Sequence, residues 1–290
     1  MYTTLIEASQ LSAHSSDADW AVLDCRFELG RPESGARAYA QGHIPNAIYA
    51  HLDHELSGPV TSTSGRHPLP AVEAFGATLD RWGIDENVQV VAYDQGNGAY
   101  ASRLWWLLRW VGHSRVAVLN GGFAAWQQAG LPVTKQPGVR QPRRFTPNRA
   151  QRNVGSVVAT VELQKLQAAG QLATGERTLI DARSADRFAG QNETIDPVAG
   201  HVPGAINRPF AHNLDAQGRF LSPDTLRAKW LETLRGRAPA TAIAMCGSGV
   251  TACHNLLALE VAGLPGAQLY AGSWSEWIRD AARPIEPPHN

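Results

Sequence analysis

Cys246 closes a short apolar run, Ala242-Ile243-Ala244-Met245, and is followed by Gly247-Ser248-Gly249-Val250-Thr251-Ala252. The pattern reads as a buried strand delivering a thiol to a tight loop, with a helix expected over Cys253 to Leu264. Gly247 and Gly249 leave the backbone free to turn its N–H groups inward, around whatever sits on the sulfur. Those N–H groups and the positive end of the helix favour thiolate over thiol, which makes Cys246 a nucleophile. The same cradle shelters a negative group carried on that sulfur. The Ser248 and Thr251 hydroxyls beside it set this cysteine apart from an ordinary buried thiol. Cys253, inside the apolar helix, and Cys25, at a strand end, read as packed core thiols.

The elements that position this loop occur twice. Leu23-Asp24-Cys25-Arg26 reappears as Ile180-Asp181-Ala182-Arg183, and Gly42-His43-Ile44-Pro45-Asn46-Ala47-Ile48 as Gly200-His201-Val202-Pro203-Gly204-Ala205-Ile206. Gly121-Gly122-Phe123-Ala124-Ala125-Trp126 matches Gly272-Ser273-Trp274-Ser275-Glu276-Trp277. Three motifs recur in one order, each about 150–160 residues downstream, which marks an internal duplication. Each half is an α/β unit, with strands expected at Trp20–Leu23, Val88–Tyr93 and Val116–Leu119 of the first. The Trp-rich helix Arg103 to Val111 reads as core packing. Aligned, the copies set Asp94 of Tyr93-Asp94-Gln95-Gly96-Asn97-Gly98 over Cys246. A carboxylate does no thiol chemistry, so the second half carries the reaction.

At 290 residues the chain has room for two domains. Its 26 basic and 26 acidic residues balance, so no global field steers it to nucleic acid or membrane. Glu7, Asp17 and Asp19 interrupt the N-terminal stretch, and neither a signal peptide nor a membrane span is expected. Three scattered cysteines suit a reducing, cytoplasmic setting rather than a disulfide framework. Residues 135–152, with Lys135, Arg140, Arg143, Arg144, Arg149 and Arg152 and no acid among them, read as a solvated linker. Phe145 is the lone aromatic there, too few for a nucleic-acid patch.

The duplication, the Gly-His-x-Pro-x-Ala box in each half, the Cys-Gly-Ser-Gly-Val-Thr-Ala loop and the Gly-Ser-Trp-x-Glu-Trp ending together resemble the tandem-domain rhodanese family, the thiosulfate and 3-mercaptopyruvate sulfurtransferases. The resemblance spans essentially the whole chain. It implies two tandem rhodanese-like α/β domains, each a small, mostly parallel sheet flanked by helices. The expected boundaries are 1–134 for an N-terminal domain without the catalytic cysteine, 135–155 for the Pro/Arg-rich linker and 156–290 for the catalytic domain. The implied chemistry passes sulfane sulfur from a small anionic donor through a Cys246 persulfide to a thiol, cyanide or a small redox protein. No further cofactor and no metal are expected, and a monomer is the simplest assembly for an internally paired repeat.

The loop bears on the donor. Thiosulfate-type members carry basic residues after the cysteine, whereas mercaptopyruvate-type members carry Gly-Ser, as Gly247-Ser248 do here. The resemblance also implies a proton relay from Ser248 to a His and an Asp of the first half, for which His67 and Asp53 stand in the matching segments. Arg187 matches the arginine that binds the donor carboxylate, beside loop residues Gly247, Gly249, Val250 and Thr251. Arg183 is expected to make a structural salt bridge. The family's second substrate arginine has no counterpart in Gln191-Asn192-Glu193-Thr194-Ile195-Asp196-Pro197, so Arg208 or a residue of the first half would have to replace it. The favoured donor is 3-mercaptopyruvate. Thiosulfate is the alternative, and a non-catalytic persulfide carrier or sensor is the third reading. A Cys-x5-Arg phosphatase would need an arginine where Ala252 stands. His51, Asp53 and His54 lack the glutamate of an H-E-x-x-H zinc site.

Overall fold

The computed structural model describes residues 1–148 and 157–287. They form two compact α/β units, each around its own parallel sheet. In the first, the chain runs β1 (Leu5–Ile6), α1 (Ala8–Ser12), β2 (Trp20–Asp24), α2 (Glu33–Gln41), β3 (Ile48–Tyr49), α3 (Val72–Arg81), β4 (Gln89–Tyr93), α4 (Ala101–Trp110), β5 (Val116–Leu119) and α5 (Gly122–Gln128). Its strands pair in the order β1-β5-β4-β2-β3. Central β4 is buried at every residue, as a strand covered on both faces must be, and its Val-Val-Ala run is continuous rather than alternating. Helix α4 buries Trp105 and Trp106 completely, in keeping with core packing.

The second unit follows with α6 (Thr160–Ala168), α7 (Gln171–Thr174), β6 (Thr178–Asp181), α8 (Ala185–Phe188), β7 (Ile206–Asn207), α9 (Pro223–Leu234), β8 (Ala242–Met245), α10 (Thr251–Val261), β9 (Gln268–Leu269) and α11 (Ser273–Trp277). The sheet order is β7-β6-β8-β9, all parallel. Cys246 follows the last residue of β8, an interior strand. Helix α10 starts at Thr251, two residues ahead of the expected Cys253, because the left-handed turn at Gly249 (φ +78) reverses the chain at one residue.

The repeated motifs build the same parts twice. Arg26 pairs with Asp24 at 2.6 Å and donates to Gly42 O, while Arg183 pairs with Asp181 at 2.8 Å and donates to Gly200 O. Arg26 stacks over Phe123 (4.4 Å) and Arg183 over Trp274 (4.9 Å). His43 stacks on Tyr39 and His201 on Phe188, both at 3.8 Å between ring centres. These motifs are framework: buried ion pairs whose lone pairs are also bonded, which is the condition for such a pair to be tolerated in a core.

The units are not consecutive halves of the chain. By packing, Pro59–Pro68 belongs to the second unit and Leu214–Phe220 to the first. The strap 59–68 is held by backbone groups: Arg66 N–H donates to Ser275 Oγ (3.1 Å), and Arg279 Nε donates to Ser64 O (3.1 Å). In the other direction Arg219 pairs with Glu7, and Phe220 N–H donates to Asn120 Oδ1 (2.9 Å). Motif spacing cannot reveal such exchanges, which depend on loop hydrogen bonds between residues distant in sequence.

The stretch expected as a solvated linker is stitched to the first unit as far as Asn148, and Arg149 and Arg152 lie outside the described residues. Arg140 donates to three carbonyls, Trp20 O (2.6 Å), Ala18 O (2.9 Å) and Gly83 O (3.3 Å). Arg143 bridges Asp19 and Asp85, both at 3.2 Å, and Phe145 is buried. The partners of these arginines lie far away in sequence, so a window without acids said nothing of them. Arg140→Ala should lower the stability of the first unit in urea by about 1–3 kcal/mol, because carbonyls capped by a guanidinium lose a charge-assisted donor. Exposed Arg144→Ala should change it by less than about 0.5 kcal/mol.

Candidate active site

Cys246 is 2% exposed and sits in a loop whose backbone is clamped from one side. Its N–H donates to Ser273 Oγ (3.0 Å), and Ser273 Oγ donates to Tyr270 O (3.0 Å). Trp274 N–H donates to Cys246 O (3.0 Å) and Ser275 N–H to Gly247 O (2.9 Å). Ser273 takes a left-handed φ of +55°, rare for a side-chain-bearing residue, and its two hydroxyl bonds hold it there. Gly249 N–H donates to the Cys246 sulfur at 3.1 Å, so a backbone dipole faces the atom that would bear negative charge.

The first unit carries the matching cradle with a built-in anion. Phe123 N–H donates to Asp94 O (2.8 Å) and Ala124 N–H to Gln95 O (3.0 Å), repeating the clamp. The Asp94 carboxylate then accepts N–H bonds from Gly96 (3.0 Å), Gly98 (3.0 Å), Tyr100 (2.9 Å) and Ala101 (3.2 Å). Burial pushes the Asp94 carboxyl above its ordinary range, and these four donors pull it back. The other thiols are spent on packing. Burial, with Asp24 and Asp94 nearby, pushes the Cys25 thiol well above its usual value, and Cys253 donates to Gly249 O at 3.3 Å.

Around the loop, the second unit gathers most of the residues singled out in the sequence. Ser248 is buried, and its Oγ lies 2.7 Å from Nδ1 of His67, which the strap delivers. Val250 is buried at the start of α10, and Thr251 is the first residue of that helix. Arg187, on α8 (Ala185–Phe188), reaches the loop: a Cβ placed on Gly247 would lie 3.5 and 3.7 Å from its Nη2 and Nη1. Its Nε and Nη2 donate to Glu193, and Nη2 also donates to Asp196 (3.1 Å). Asp53 belongs to the first unit, where its N–H donates to His51 Nδ1 (3.1 Å).

Arg208 does not take the place of the missing arginine. It stacks on Trp230 at 3.8 Å and donates to Thr233 and Asn213, and burial lowers it to about 10. Arg66, the residue before His67, was not singled out in the sequence. It forms an ion pair with Asp196 and points Nη2 to 3.0 Å from the same Cβ position on Gly247. Glu193 and Asp196, two acids close to Arg187, have side chains only 2% exposed and therefore need cations, which Arg66 and Arg187 supply. No group of three metal-binding side chains occurs among the described residues, and none of their helices is long and apolar enough to cross a membrane.

Residues 7–129 and 160–280 each match the rhodanese-like domain family. Over 97% of its length the chain is 47% identical to a Pseudomonas aeruginosa protein named "Probable 3-mercaptopyruvate sulfurtransferase", of which it covers 97%. It is 34% identical to the thiosulfate sulfurtransferase of Rattus norvegicus, covering 90% of this chain and 85% of that one. Among solved structures, SseA from Escherichia coli, a 3-mercaptopyruvate sulfotransferase of the rhodanese fold, is similar with a TM-score of 0.76 at 32% identity. That match covers 95% of this chain and 100% of the other. The chain belongs to the rhodanese family, and within it to the sulfurtransferases that carry the domain in tandem.

The loop geometry depends on Gly249, where a Cβ would fall 2.3 Å from Ala271 O at a φ of +78°. Gly249→Ala should cost more than the roughly 1–2 kcal/mol of a left-handed alanine, because the clash adds to it. Gly236 has the same φ of +78° and nothing within 4 Å, so Gly236→Ala should show the backbone cost alone. Thermal unfolding of both variants, with the alkylation rate of Cys246, checks this. Only Gly249→Ala should slow alkylation.

Proposed function

We propose that the protein is a 3-mercaptopyruvate sulfurtransferase that works through a persulfide on Cys246. The observation that carries this reading is the 2.7 Å contact between Ser248 Oγ and His67 Nδ1, beside a thiol that already receives an N–H bond. The Cys246 thiolate attacks the donor's thiol sulfur. The donor's C–S bond breaks, and its electron pair stays on the methylene carbon as the enolate of pyruvate. Ser248 and His67 pass the donor's S–H proton to that carbon. The products are the Cys246 persulfide anion and pyruvate, and a thiol or cyanide then accepts the outer sulfur. Arg187 holds the donor carboxylate, with Gly247, Gly249, Val250 and Thr251 shaping the pocket floor. Asp53 is the carboxylate that the family resemblance adds to this relay.

Thiosulfate is the second reading, and the guanidinium groups beside Gly247 favour it too, since they suit any small anion. Its transfer breaks an S–S bond, releases sulfite and needs no proton. The two donors therefore separate on the Ser248–His67 pair. The proposed acceptors, a monomeric assembly and a cytoplasmic setting rest on the resemblance and on cysteine usage.

Cys246→Ser should abolish persulfide formation and turnover, because a serine hydroxyl neither ionises near neutral pH nor stores sulfur. His67→Ala should lower kcat for 3-mercaptopyruvate by about 10²–10⁴-fold, well beyond its effect on KM, and should spare thiosulfate turnover. Arg187→Ala should raise KM by roughly 10- to 100-fold, the worth of a charge-assisted contact. The deciding measurement is kcat/KM for the two donors with one acceptor. A higher value for thiosulfate, with His67→Ala silent, overturns the assignment.

A further inference from the structure

The stretch after Arg187 supplies acids where a second donor-binding arginine would be needed. Asp196 lies between two guanidinium groups, with Oδ1 on Arg66 Nη1 and Oδ2 on Arg187 Nη2. Glu193 takes the Nε edge of Arg187 and also pairs with Arg183 at 3.3 Å. The acids thus grip the outer edges of both arginines and fix their planes. Arg187 Nη1 and Arg66 Nη2 are left without a hydrogen bond among the described residues, and both reach the open side of Gly247. Arg66 Nε is buried with no partner, an unmet donor at the same place.

From this we infer that Arg66 is the second guanidinium of an anion clamp at Gly247, and that the strap 59–68 thereby sets donor specificity. The inference rests on the sulfurtransferase reading of Cys246 and names what that site grips. Two cations presented by a shared carboxylate match a donor whose carboxylate and adjacent carbonyl offer oxygens in one plane. A Cβ at Gly247 would lie 3.0 Å from Arg66 Nη2, so a side chain there would push the guanidinium from its place by a few tenths of an ångström. Positive charge that a loop side chain would otherwise carry arrives instead through space, from the residue preceding His67. One short strap, anchored by its own backbone at Ser275, supplies both the proton-handling imidazole and the clamp.

Alkylation of Cys246 in the full chain tests the clamp without assuming a donor. Iodoacetate carries a carboxylate and iodoacetamide does not, while the thiolate displaces iodide from either one. Peptide mass analysis assigns the modified cysteine. The wild-type chain should favour iodoacetate relative to a free cysteine in solution. Arg66→Ala should cut the iodoacetate rate by about 10-fold or more, the size of one charge-assisted contact, and leave the iodoacetamide rate in place. Arg66→Lys should recover part of the preference, which guards against a variant that merely loosens the strap. Equal losses for both reagents, or no loss for either, overturn the inference. If the preference disappears in Arg66→Ala but 3-mercaptopyruvate is a poor substrate, the clamp stands and the donor assignment fails. If 3-mercaptopyruvate is the better donor and Arg66→Ala keeps the preference, the donor assignment stands and the clamp fails.

Discussion

The site hangs on the backbone clamp between the cysteine loop and the turn at 270–275. Three hydrogen bonds, from Cys246 N–H to Ser273 Oγ and from Trp274 and Ser275 N–H to the carbonyls of Cys246 and Gly247, hold the loop curled. The clamp requires left-handed backbone at Gly249 and Ser273, conformations that a free chain seldom adopts together. Only the packed sheet, with β8 (Ala242–Met245) beside β9 (Gln268–Leu269), brings the two segments into register. Cys246 is thus held in a turn that the strained backbone of Ser273 braces, with the sulfur placed before an N–H group.

The first unit illuminates what this cradle is for. The same clamp there encloses Asp94, whose carboxylate takes four N–H bonds. A fold that satisfies a fixed anion in one copy offers an anion's environment to a thiol in the other. The place of the anion is taken by a carboxylate in one copy and by a thiol in the other. A carboxylate fills the cradle with four N–H bonds, whereas the thiol takes one, from Gly249.

Electrostatics around the loop follow from buried charges that must find partners. Glu193 and Asp196 neutralise most of Arg183, Arg187 and Arg66, so the arginines are ordered without flooding the site with positive charge. What faces Gly247 is one N–H edge of each of two guanidiniums. Geometry rather than net charge then selects the guest, since the free edges point to one place while the charges are nearly balanced.

Much of this was legible in the sequence because local rules govern it. The apolar run into Cys246, the glycines on either side of Ser248 and the duplicated Asp-x-Arg and Gly-His-x-Pro boxes specify a strand, a turn and a framework from near neighbours alone. Cys246 and Ser248 could be named because they lie in one of those segments, and Arg187 because the stretch after the Asp-x-Arg box resembles the family's. The partners of the linker arginines, the exchange of segments 59–68 and 214–220 between units, and Arg66 could not. Each depends on contacts between residues that are scores of positions apart, and spacing carries no record of such contacts. The sequence determined the place of Cys246 and its cradle, since a strand–turn–helix is set within about a dozen residues. Tertiary structure alone decided that Arg66 joins Arg187 at the cradle. A long side chain on a loop has no address until the backbone that carries it is bound somewhere, and for Arg66 that binding is to Ser275.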